Sequence, residues 1–328
     1  MTSPNRRQAL ALVGAGALAT AFPAAAQDAA TGYPERPIRL VIPTPPGGAM
    51  DGTARLIAEK LATAWGQPVV VDNRPGGNGA IAYATVAKAA PDGYTLLLSL
   101  SSLVQTELLS NAPPYSVREL APIALVAMLP NGFAVGKHVP ATTVQQFVEW
   151  ARAQPKGVDY GSSGAGSSGN IMGGTLAQAA GVQMVHVGFK GEAPAIQAVL
   201  GGQIAAVFGA TGTLAAQARA GNLKLLAVAL PNRLKDYPQV PTFSEAGYPK
   251  VNLPGWSLAA APAATPKPLI GRLSAEISRI VQLPDVSARI NSYGFQPEGS
   301  TPEVAQRFLN DEMARWQAAI SAAHITVE

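Results

Sequence analysis

Residues 158–170 read Val158-Asp159-Tyr160-Gly161-Ser162-Ser163-Gly164-Ala165-Gly166-Ser167-Ser168-Gly169-Asn170. A short strand-like run gives way to a glycine- and serine-rich turn, and Ile171 to Ala180 continue with helical spacing. The same grammar occurs earlier in the chain. Ile38 to Ile42 lead through Pro43-Thr44-Pro45-Pro46-Gly47-Gly48-Ala49-Met50-Asp51 into a helical run over 52–65. A strand-to-helix turn of this kind aims unpaired backbone N–H groups, and the positive end of a helix dipole, at one point in space. Two such turns facing each other across a cleft would hold a small carboxylate at both ends. The pair therefore points to a binding protein for a small organic acid rather than to an enzyme.

Working outward, short Val-, Ile- and Leu-rich runs alternate with helical periodicity, the pattern of an α/β chain. Strands are expected at Ile38–Ile42, Val69–Val71, Tyr94–Ser99, Phe133–Val135, Val158–Tyr160, Met184–Gly188, Ile204–Phe208 and Leu223–Ala229. Helices are expected at 51–65, 143–153, 169–180, 192–201 and 212–220, with three more near the C-terminus. Gly66, Gly181 and Gly221 read as helix stops. Thr265-Pro266 and Thr301-Pro302 read as helix starts, and Ser300 with Glu303 as a capping box. The segments around Met128-Leu129-Pro130-Asn131 and over Pro249 to Pro262 read as domain crossings. Two crossings divide the chain into one lobe of residues 27–131 and 254–328 and a second of residues 132–253, with the ligand cleft between them.

Residues 1–26 read as an export signal. Arg6-Arg7 precede an apolar stretch from Ala9 to Phe22, and Ala24-Ala25-Ala26 supplies a cleavage site after Ala26. The paired arginines leave both twin-arginine and ordinary secretion open. There are no cysteines among the 328 residues, hence neither a disulfide framework nor a lipid attachment point. The expectation is a free periplasmic monomer without a membrane span. The net charge is +4, falling to +2 once Arg6 and Arg7 leave, with no basic stripe of the kind nucleic acid requires.

The chain resembles the tripartite tricarboxylate transporter solute-receptor family, the Bug receptors. The likeness is carried in order by Tyr33-Pro34-Glu35-Arg36-Pro37-Ile38, Pro45-Pro46-Gly47-Gly48, Val71-Asp72-Asn73-Arg74-Pro75-Gly76, Pro91-Asp92-Gly93-Tyr94 and Tyr160-Gly161-Ser162-Ser163-Gly164. It continues in Gly188-Phe189-Lys190-Gly191, Leu200-Gly201-Gly202-Gln203 and Ala264-Thr265-Pro266. The resemblance implies a two-lobed type II periplasmic-binding-protein fold, a Venus flytrap with two interlobe crossovers. It also implies delivery of a bound carboxylate to a membrane permease, or its presentation to a sensor kinase. Gly47, Gly48, Ala49 and Asp51 would form one jaw, and Ser162, Ser163, Gly164, Ser167 and Ser168 the other. Met50, Asn170, Phe189 and Gly209 stand where many family members carry a small hydroxyl residue, histidine, tyrosine and aspartate. These departures suggest an apolar or aromatic carboxylate rather than an amino acid.

Single residues carry alternatives. Asp51 either accepts N–H groups at its helix start or touches ligand. Lys190 either attracts the ligand or is a solvated surface group, and Asn78 and Ser101 lie on loops able to reach the cleft. His186 reads as a satisfied core histidine, and Trp256 as hinge packing or pocket wall. Gly164 to Gly169 spell G-x-G-x-x-G, yet no acid follows the next strand until Glu192, against a dinucleotide site and an NAD-dependent oxidoreductase. Three histidines without metal-ligand spacing, and no nucleophile elbow, leave no cofactor, metal or catalytic residue to assign.

Overall fold

The computed structural model describes residues 32–323 and Ile325; the expected export signal lies outside them. The apolar run Ile38–Ile42 (β1) pairs in parallel with Val69–Asn73 (β2) and Thr95–Leu100 (β3). Helices Ala49–Trp65 (α1), Ala80–Ala87 (α2) and Ser102–Leu109 (α3) follow these three strands in turn. Leu120–Leu129 (β4), Gly255–Pro262 (β10) and Gln296–Pro297 (β11) complete a sheet of order β11-β4-β10-β3-β1-β2.

A second sheet has the order β7-β6-β8-β5-β9. It contains Asn131–Gly136 (β5), Val158–Ser162 (β6), Met184–Gly188 (β7), Ala206–Ala210 (β8) and Leu223–Ala229 (β9). Its helices are Val144–Arg152 (α4), Ser168–Ala180 (α5), Glu192–Leu200 (α6) and Thr211–Arg219 (α7). Both sheets share one plan: three parallel strands, then an antiparallel strand that arrives from the other sheet. β5 follows β4 after Pro130 alone and runs antiparallel to β8 and β9. β10 returns the chain and runs antiparallel to β3 and β4. This is the expected two-lobed α/β fold with two crossovers.

β10 occupies a stretch read from sequence as a crossing, and β4 runs into the other with no strand expected over it, because each hides its strand character. Pro122 interrupts β4, and proline inside a run argues against a strand. It sits where the pairing with β10 shifts register, between Ala259–Ala124 and Ala260–Pro122, an irregularity of the kind at which strand prolines are tolerated. β10 carries three consecutive alanines and ends in proline, yet all eight of its residues are buried. Small side chains suit a central strand covered on both faces better than propensity suggests.

Lys267–Val281 (α8), Pro284–Ser292 (α9) and Pro302–Ala323 (α10) close the chain. Gly66, Gly181 and Gly221 end their helices with positive φ, as expected. Two expected caps are not formed. Ser300 Oγ takes the Leu125 N–H at 2.9 Å, and Thr301 Oγ1 instead receives the Val304 N–H at 3.4 Å. Thr265 Oγ1 is buried without a partner, and the Pro266 carbonyl receives the N–H groups of Leu269 and Ile270.

α10 packs on β4 and α3 of the first lobe and on α5 of the second. Within it, Glu312 is buried, and its Oε2 accepts both indole N–H groups, from Trp256 at 2.8 Å and Trp316 at 3.0 Å. Burial pushes this carboxyl's pKa up, opposed by Arg315, whose Nη1 lies 3.0 Å from Oε1, and by the two indoles. Trp256 is thus packed at the crossing and is not a pocket wall.

One hydrophobic cluster runs through both lobes, including Trp256, Tyr160 and Phe133. Phe133 is fully buried on β5, stacked on Phe208 at 4.5 Å and edge-on to Phe147 at 4.9 Å. Phe133→Ala should destabilise the protein by about 3–5 kcal/mol, measured by urea denaturation. A loss below about 1 kcal/mol would mean that neighbours collapse into the space and that the β5 aromatic stack is not the anchor of the second lobe.

Candidate ligand-binding cleft

The first glycine-rich turn is held shut from inside. Gly47 has φ +93°, a backbone conformation that residues with a Cβ rarely adopt. Asp51 Oδ2 accepts the Gly47 N–H at 3.0 Å and Arg55 Nε at 2.9 Å. Its Oδ1 accepts Asn73 Nδ2 at 2.9 Å, and the same amide reaches the Thr44 carbonyl at 2.9 Å. The Arg55 bond, helped by Gly47 and Asn73 and opposed by burial, holds the Asp51 pKa down to about 2. Of the two readings of Asp51, the structural one describes every contact that it makes.

The second turn divides its four serines. Ser162 is fully buried, with Oγ 2.7 Å from His186 Nε2 and 3.0 Å from both the Gly164 carbonyl and Ser167 Oγ. Ser167 caps α5, accepting the Asn170 N–H at 3.3 Å. Asn170 in turn accepts the Gly166 N–H at 3.0 Å, clasping the loop from below. Burial lowers the His186 pKa and so favours the neutral ring; the histidine is satisfied by Ser162 as expected, but it is only partly buried on the edge strand β7 rather than in the core. Ser162 and Ser167 therefore shape the turn, which leaves the hydroxyls of Ser163 and Ser168 for the cleft.

That cleft lies between the two sheets and has a volume of about 1390 Å³, wider than the roughly 300–1,000 Å³ of a closed small-molecule pocket. From the first lobe Asn78 and Ser101 line it, and from the second Ser163, Ser167, Ser168 and Gly209. Gln105 Nε2 crosses it to donate to Ser168 Oγ at 2.9 Å. The helix N-termini that face each other are thus those of α3 and α5. Gly47, Gly48, Ala49 and Asp51, expected as the first jaw, do not line the cleft in this arrangement, and Pro45–Gly48 stay exposed to solvent. Nor do Ser162, Gly164, Phe189 and Lys190. Phe189 packs inside the second lobe beside Gly161, and Lys190 is exposed.

Glu192 lines the cleft and was not among the expected site residues. Its Oε2 accepts the Ala210 N–H at 3.0 Å, while its buried Oε1 has no hydrogen-bond partner. Burial raises its pKa, opposed by the Ala210 N–H and by the Thr213 side chain. A Cβ on Gly209 would stand 2.8 Å from Glu192 Cδ. The glycine leaves the space that this carboxyl fills. The sequence showed an acid missing at Gly209 and an acid present at Glu192, but not that the two positions meet. Among the described residues no His, Cys, Asp or Glu cluster suits a metal ion, and no helix is long and apolar enough to cross a membrane.

The tripartite tricarboxylate transporter family receptor matches residues 53–325 of the chain. The chain belongs to this family. Family members are periplasmic solute receptors rather than enzymes. Protein BugT of Bordetella pertussis is 34% identical over 319 residues, 96% of this chain and 97% of its own. Among solved structures, Rpa4515 of R. palustris with adipate is 30% identical, with a TM-score of 0.78 over 90% of this chain and 99% of its own. MatC of Rhodopseudomonas palustris with bound malate is 29% identical, with a TM-score of 0.73 over 88% of this chain and 100% of its own.

Asp51 titrates below its value in an unfolded chain, so its contribution to stability is present above about pH 4 and is lost as the pH falls toward 2. Asp51→Asn should melt at a lower temperature than the wild type at pH 6, with the gap narrowing between about pH 4 and 2. Melting curves that stay parallel across this window would show that the carboxylate charge does not hold the turn.

Proposed function

We propose that this protein is a periplasmic receptor that holds a small organic carboxylate between its lobes and delivers it to the membrane permease of a tripartite transporter. The observation that carries this reading is the facing pair of helix N-termini, α3 and α5. They present Ser101, Ser163 and Ser168 to one cleft and are already joined across it by Gln105. Backbone N–H groups and hydroxyls at two helix starts suit a carboxylate. Adipate and malate in the two similar structures support this ligand class. The lobes divide as 27–131 with 254–328 and 132–253, and the leader is cleaved after Ala26. Ligand favours the closed state by touching both lobes at once, which also draws the exposed Gly47–Gly48 turn toward the cleft. No catalytic step is assigned. The Ser162–His186 pair has the reach of a nucleophile and base, but Ser162 is fully buried and its hydroxyl is engaged by the turn.

The test is a thermal-shift screen of the purified protein against mono-, di- and tricarboxylates, aromatic acids, amino acids and NAD, followed by calorimetry on the hits. A carboxylate should raise the melting temperature and NAD should not. Ser163→Ala combined with Ser168→Ala should weaken the best hit at least about tenfold while the unliganded melting temperature changes little. Unchanged affinity would remove the second turn from the site, and a shift with NAD alone would overturn the receptor reading.

A further inference from the structure

Glu192 carries more than the carboxylate reading uses. It begins α6, on the second-lobe wall of the cleft, and its carboxyl lies over Gly209. The Ala210 N–H pins Oε2 and so fixes the orientation of the group. Oε1 is then left buried and unpaired. Thr211 Oγ1, just beyond Ala210, is a second buried oxygen without a partner, and Thr211 lines the same cleft. Buried polar atoms in native proteins are nearly always satisfied, so two such exceptions on residues of one cleft call for an explanation.

The charges around the cleft do not satisfy Glu192 either. Arg219 lies over the Tyr237 ring at 5.3 Å, and Arg233 is paired with Glu245 at 2.8 Å. Lys235 is exposed at the rim, and Glu192 makes no ion pair among the described residues. A desolvated carboxylate without a counter-charge is costly unless a cation reaches it.

We propose that Glu192 is the specificity-determining acceptor of the cleft, selecting a carboxylate that also bears an ammonium group. This rests on the carboxylate reading above. The carboxylate end meets Ser163 and Ser168, and the ammonium end meets Glu192 Oε1, with Thr211 Oγ1 as a second acceptor. An ammonium has three donors and no acceptor, so it matches two unpaired oxygens; a hydroxyl has one donor. The sequence-based preference for apolar or aromatic acids followed from the missing acid at Gly209. Glu192 supplies that acid from a different turn, and so reverses the inference.

Calorimetry on matched pairs tests this: aspartate against succinate, 4-aminobutyrate against butyrate and 6-aminohexanoate against hexanoate, with malate as the hydroxyl arm. At least one amino-carboxylate should bind about tenfold or more tightly than its partner lacking nitrogen. Glu192→Gln keeps the shape and an oxygen for the Ala210 N–H. It should weaken the amino-carboxylate and strengthen the plain one, collapsing the ratio toward unity. Gly209→Ala, which forces the carboxyl aside, should also reduce the ratio with the acid still present. Equal binding within every pair, a Glu192→Gln effect equal in sign and size on both members, or a preference met by malate alone would each overturn the proposal. If no carboxylate of any kind binds, the receptor reading itself fails, which the serine variants register separately.

Discussion

The two chain crossings tie the lobes along one narrow line, and the remaining architecture depends on how tightly they are bound together. Pro130 alone separates β4 from β5, so the first crossing has no slack. The second is fastened to it twice. Gly255 pairs with Leu129 in the sheet, and Asn131 Nδ2 donates to the Leu253 carbonyl at 3.1 Å. Each crossing segment then enters its new sheet as the antiparallel strand, flanked on both sides. Neither strand could slip without exposing a ladder of buried N–H and C=O groups. The two crossings thus fix the line along which the lobes meet, with α10 packed on both of them.

Around that line, buried polar groups are used to fix shape. Asp51 closes the first turn, Ser162 and Ser167 close the second, and Glu312 binds two tryptophans beneath the crossing. Each of these groups is engaged by protein partners on the side that faces the fold. Of the buried side-chain oxygens left without a partner, Glu192 Oε1 and Thr211 Oγ1 belong to residues that line the cleft, and it is there that recognition has groups to work with. The distinction between Ser162 and Ser163 is instructive, since adjacent hydroxyls serve opposite ends. One is consumed by the loop, and the other is presented by it.

Much of the fold was legible. Strands at 38–42, 184–188 and 223–229 match their expected limits, because β-branched runs between turn signals leave little choice. β4 and β10 escaped because Pro122 and an alanine run mask strands whose stability comes from neighbours on both sides. In the site, the second turn was readable as a strand–turn–helix unit, as was the reach of Asn78 and Ser101 into the cleft. The opposite jaw stays exposed and outside the cleft in this arrangement: local sequence marks α1 as a helix start but does not say where that start faces. Glu192 was invisible for the same reason, since its role exists only once β8 brings Gly209 beneath it.

The cleft groups are tied to the crossing line to different degrees. Ala210 pairs with Asn131, and the Thr211 N–H bonds the Pro130 carbonyl at 2.9 Å, so Glu192 sits one contact from that line. Ser168, at the start of α5, is instead held across the cleft by Gln105 of the other lobe. A ligand thus meets one wall fastened to the crossings and another whose hydroxyl is already tied to the opposite lobe.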